Sequence, residues 1–160
     1  MADGDLNADL LLKIMNRLAK FRADFAKEHL TTHLLDLVPE TFEKDRKNAI
    51  LYLYQHLRFL EGRNLITLSG RLCQSGICKI DLTANGNMFV QPELAEFGNE
   101  PLLPQVVKSI ENQIEVLTYP QEEKDNMRFR LREALAEQAP DFIAKVFAEI
   151  AYRAMKGGGT

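Results

Sequence analysis

The chain has no tryptophan, three histidines and two cysteines, and each shortage removes a class of function. Two cysteines do not complete a structural zinc site, and no histidine lies near Cys73 and Cys78 in sequence, so a zinc-stabilised domain is not expected. Facing each other across paired strands, the two thiols would oxidise. An intracellular chain keeps thiols reduced, and two reduced thiols filling a turn are the expectation here. His29 and His33 stand four apart with Asp36 beyond them, but no His-Glu-x-x-His pattern occurs and no metal is expected. Long apolar runs are missing as well. The longest, Ala49 to Tyr54, falls far short of a bilayer, so no membrane association is expected. There is no glycine-rich phosphate loop, and Ser69, Ser75 and Ser109 lack the surroundings of a nucleophile elbow. Neither an enzyme nor a cofactor is expected. The first five residues, Met-Ala-Asp-Gly-Asp, are acidic where a secretory leader is basic, which makes the cytoplasm the expected location.

What the sequence does have is a globular composition, 46% hydrophobic and 27% charged, which calls for a packed core. Its net charge of −3 is unevenly spread. Residues 43–82 hold seven bases against four acids, whereas 83–103 hold three acids and no base. The positive segment coincides with the one place where the hydrophobic period changes.

Leu10, Leu11, Ile14, Leu18, Phe21 and Phe25 recur at three- and four-residue spacing, predicting a helix from 6 to about 29 with Asp5 or Asn7 as its cap. Thr31 or Thr32 is expected to start a short helix that ends at Leu37, ahead of Pro39. A third helix follows, with Ala49, Leu53, Leu57 and Leu60 on one face and Gly62 as the left-handed residue at its end. The period then drops to two. "LITL" and "ICKIDL" read as strands joined by "SGRLCQSG", and "LTANG" turns back towards helix. Pro92, Gly98, Pro101 and Pro104 punctuate the acidic stretch 91–103, which reads as a linker. Three helices are predicted beyond it, at Pro104, after Thr118 and after Pro140. The resulting fold class is α+β, mostly α. Its parts are a unit over 1–90, the linker 91–103, a three-helix unit over 104–156 and a disordered tail at 157–160.

An isolated hairpin is marginal in water and must pack on something. Helix, short helix, helix and two-stranded wing is an order that resembles the winged helix-turn-helix superfamily over about residues 6–90. The resemblance rests on "LRFLEGRNLITL", which looks like a third helix running into a wing strand, and on "LTANG", similar to the Leu-Thr-x-x-Gly step after the second wing strand. One departure is plain: no short strand is legible between the first two helices.

The resemblance implies a third helix in the major groove of double-stranded DNA and a wing on the phosphates or the minor groove. Carried over residue by residue, the expected contacts are Lys44, Arg46, Lys47, Asn48, Tyr52 and Gln55 on the helix, with His56 on the same exposed side. Arg63, Arg71 and Lys79 follow on the hairpin. Lysines and arginines suit phosphates, whereas Asn48 and Gln55 suit base edges. The implied function is non-enzymatic transcription regulation, with the C-terminal helices making a homodimer to match a two-fold operator. The alternative is an adaptor that binds no DNA and docks a protein through Tyr52, Phe59, Phe142, Phe147 and Tyr152.

Overall fold

A computed structural model describes residues 6–21, 30–39, 45–71, 76–97, 100–101 and 104–137, with isolated helical positions at 141, 144, 145, 148, 149 and 152. Among them the chain is mostly helical and carries a two-stranded antiparallel sheet, an α+β fold dominated by α. It divides into two units, residues 1–87 and 88–160.

In the first unit, α1 (Ala8–Phe21) starts where expected. The Asn7 side chain accepts from the Leu10 N–H at 3.2 Å and its carbonyl from Leu11 at 3.0 Å, so Asn7 supplies partners to amides that a helix start leaves open. Leu10, Leu11, Ile14, Met15 and Leu18 form its buried stripe. A 3-10 segment follows (Thr31–Leu37), then α2 (Arg46–Gly62), whose N-cap Asp45 accepts from the Asn48 N–H. The end of α2 differs from expectation. Asn64, not Gly62, takes the left-handed conformation (φ 59°). The Asn64 N–H donates to the Glu61 carbonyl and the Leu65 N–H to that of Leu60, the paired bonds of a Schellman end. Leu60 and Leu65, the residues it brings together, are both fully buried.

β1 (Ile66–Ser69) pairs with β2 (Lys79–Leu82) in the register Ile66↔Leu82 to Ser69↔Lys79. Leu30 adds a one-residue antiparallel bridge to Lys79. The bridge was not legible in the sequence, because one residue has no alternation to read. Thr31 locks it. Its N–H donates to the Cys78 carbonyl, and its buried hydroxyl accepts from the Cys78 N–H at 2.8 Å. Thr31 therefore pins the segment to the hairpin instead of capping a helix. Cys78 is buried and disulfide-bonded, against the expectation of a reduced thiol; Cys73 lies outside the described residues.

The "LTANG" step has a concrete cause. The Thr83 hydroxyl donates to the Asn64 carbonyl at 2.6 Å and accepts from the Gly86 N–H at 2.9 Å, starting α3 (Ala84–Val90). A Cβ on Gly86 would stand 2.0 Å from the Leu65 carbonyl oxygen, so no larger residue fits without moving backbone.

In the second unit the acidic stretch is not a bare linker. Pro92–Leu94 forms a 3-10 turn, and β3 (Glu96–Phe97) pairs with β4 (Glu100–Pro101). Ala95 between them is buried in one cluster with Val107, Ile110 and Ile114 of α4 (Pro104–Glu115) and Met127, Leu131 and Leu135 of α5 (Gln121–Glu137). Phe89 packs against Phe129 with the rings tilted by 58° and their centres 5.1 Å apart. The expected tail at 157–160 lies outside the described residues.

Candidate nucleic-acid interface

The face of α2 that matters is the one its packing leaves open. Ala49, Leu53, His56, Leu57 and Leu60 are buried, whereas Arg46, Lys47, Asn48, Leu51, Gln55, Arg58 and Gly62 are exposed. Lys47, Leu51, Gln55, Arg58 and Gly62 follow one another at four- and three-residue steps, so they form a single outer stripe. Its centre lies about 70° around the helix from that of the positions Asn48, Tyr52, Gln55 and Phe59, with Gln55 common to both. Leu51 accounts for the displacement. It is apolar yet 45% exposed.

The predicted contacts sort accordingly. Arg46, Lys47 and Gln55 are exposed and make no side-chain hydrogen bond or ion pair among the described residues. Asn48 is exposed but committed: its Nδ2 donates to Asp45 Oδ2 at 2.6 Å, which turns its amide towards the helix start. Tyr52 and Phe59 are half-buried at the edges of the stripe. Exposed Arg63 lies over the Phe59 ring, 5.0 Å from its centre. Lys44 lies outside the described residues. His56 is a correction, because it is fully buried and both its nitrogens are engaged inside the unit.

On the hairpin, Arg71 is exposed just beyond Gly70, and Lys79 is half-buried with its backbone paired on both sides. Gly76 (φ +92°) lies against α2, where a Cβ would meet Ile50 Cγ2 at 2.8 Å. The return of the hairpin connection thus covers the Ile50 side of α2 and leaves the Lys47–Arg58 stripe uncovered. Sequence reading missed Arg58, which is exposed and paired with Glu61 at 2.7 Å. Its i+3 spacing from Gln55 was the available signal.

Other candidates resolve as structure. Asp36 meets Arg17 through two bonds, at 2.9 and 3.0 Å, and this guanidinium holds the Asp36 carboxyl below its ordinary value. His33 Nδ1 accepts from the Leu30 N–H, and His29 lies outside the described residues. No group of three metal-ligating side chains occurs among those described. Arg128 pairs with Glu115 and Asp125, Arg130 with Glu149 and Arg132 with Glu111, so these arginines tie the second unit together and cradle no anion. Phe142 and Phe147 lie outside the described residues, and Tyr152 is 59% exposed. Among the described residues no helix is long and apolar enough to cross a membrane. No model of a known protein family, no curated protein and no solved structure matches the chain.

Proposed function

We propose that the first unit binds double-stranded DNA in the manner of a winged helix, with α2 in the major groove, the hairpin on the backbone and no catalytic role. The observation that carries this reading is the open stripe of α2. Arg46 and Lys47 supply phosphate contacts at one end, Gln55 a base-edge donor and acceptor in the middle, and Arg58 a third cation further along. The Leu30 bridge supports it by filling the strand position between α1 and the 3-10 segment.

The test is binding of duplex DNA by fluorescence anisotropy across a salt series. Counterion release predicts a log–log slope of about −0.9 for each phosphate neutralised. K47E and R58E should each weaken binding about tenfold or more and flatten the slope, because each deletes a phosphate contact and adds repulsion. No binding at low salt, or two variants that bind like the parent, would remove this face from the site.

One observation favours the adaptor reading: Leu51 is an exposed apolar residue at the centre of the same stripe, flanked by Tyr52 and Phe59. If a protein docks there, L51D should abolish its capture while K47E leaves it nearly intact. The homodimer expected of the second unit belongs to the same proposal and is checked by sedimentation equilibrium of the full chain.

A further inference from the structure

We propose that His56 is an acid-operated latch that holds the first turn of α1 onto α2. The inference is independent of the DNA reading. Asn7 caps α1 through its side chain and carbonyl, and its remaining backbone group, the N–H, donates to His56 Nε2 at 2.9 Å. On the other side of the ring, Nδ1 lies 2.8 Å from the Tyr52 carbonyl oxygen. A carbonyl only accepts and an amide N–H only donates, so the ring is neutral, with its proton on Nδ1 and its lone pair on Nε2. Both partners are backbone groups, and turning the ring over would set a ring carbon against each.

The ring is buried beneath Asn7, which is itself exposed, so the Asn7 side of the ring is the one free to change. Adding a proton to Nε2 sets one N–H against another. The charged ring is then buried without an acceptor on that side, an arrangement that costs more than breaking the contact. The least disruptive response is departure of Asn7, which takes the cap of α1 with it. Among the described residues, no carboxylate is paired with the ring. Of the elements packed against α2, α1 carries Asp9, paired with Lys13, Arg17, paired with Asp36, and Lys20 in its last turn. The 3-10 segment carries Asp36 and His33, and β1 carries no titratable side chain. On α2, Arg58 pairs with Glu61, and the Tyr52 ring lies 4.6 Å from that of His56.

Burial pushes the His56 imidazolium to a pKa below its ordinary 6.5, partly opposed by the Tyr52 carbonyl. The sign follows. Between that lowered value and the unfolded value near 6.5 the unfolded chain binds more protons. The latch therefore contributes its full stability above about pH 6.5 and loses it progressively as pH falls towards the folded-state pKa.

The full chain tests this by NMR. At about pH 7.5, side-chain nitrogen spectra should report the Nδ1–H tautomer for His56. Between about pH 7 and pH 5, hydrogen-exchange protection of the Asn7 amide should fall about tenfold more than that of Leu60 inside α2. In H56Q, which keeps an acceptor but does not titrate, the two amides should change together. An Nε2–H tautomer, Asn7 protection that tracks Leu60 in the parent, or an undiminished acid loss in H56Q would overturn the proposal. If H56Q does not fold, the parent's tautomer and Asn7 exchange decide the matter alone.

Discussion

Thr31 shows how much a small polar side chain can hold. Its hydroxyl, fully buried, accepts from the Cys78 N–H and donates to the Cys78 carbonyl, beside a backbone bond between the same two residues. Thr31→Val keeps the shape and deletes both hydroxyl bonds. The Cys78 N–H is then buried without its partner, so a loss of about 1–3 kcal/mol is expected in chemical denaturation. Arg17 and Asp36 make the instructive contrast. Their bidentate geometry is good, but the side chains are 29% and 63% exposed, and water screens exposed pairs. Removing Arg17 should cost no more than about 1 kcal/mol. The Asp36 carboxyl, held low, contributes its share above the unfolded carboxylate value and loses it as pH falls through the folded one.

The elements were legible in proportion to their length and periodicity. α1 and α2 repeat apolar residues over several turns, and their positions could be read directly. The Leu30 strand could not be read, because a single bridged residue exists only by virtue of Lys79 across from it. The direction of α2's open face was half legible. Ala49, Leu53, Leu57 and Leu60 indicated the buried side correctly, but His56, expected on the exposed side, is buried, and Leu51 is exposed. What decided both was space. Asn7 offers His56 a donor inside the unit, whereas Leu51 is left exposed. The glycine of "LTANG" is an element-level constraint with a sharp prediction. Gly86→Ala should destabilise the protein by about 1–3 kcal/mol, since the new methyl has to push backbone apart. Thermal unfolding of the variant measures it.

Across the whole chain, each unit has its own buried residues. Ile14, Leu34, Leu53, Leu57 and Ile80 belong to the first, and Ile110, Ile114, Leu131 and Leu135 to the second. A fragment of residues 1–87 is therefore expected to retain helical circular dichroism and to unfold in one cooperative transition; a non-cooperative melt would show that the division is not one of stability. The sequence alone determined the helices, the hairpin and the concentration of positive charge around them, because periodicity and composition are local quantities that survive without neighbours. Only the folded packing decided that Asn48 is tied to a cap, that His56 faces inward against Asn7, and that residues 91–97 lend Ala95 to a core. Those outcomes depend on which donor, acceptor or cavity lies opposite, and the opposite group is supplied by a part of the chain far away in sequence.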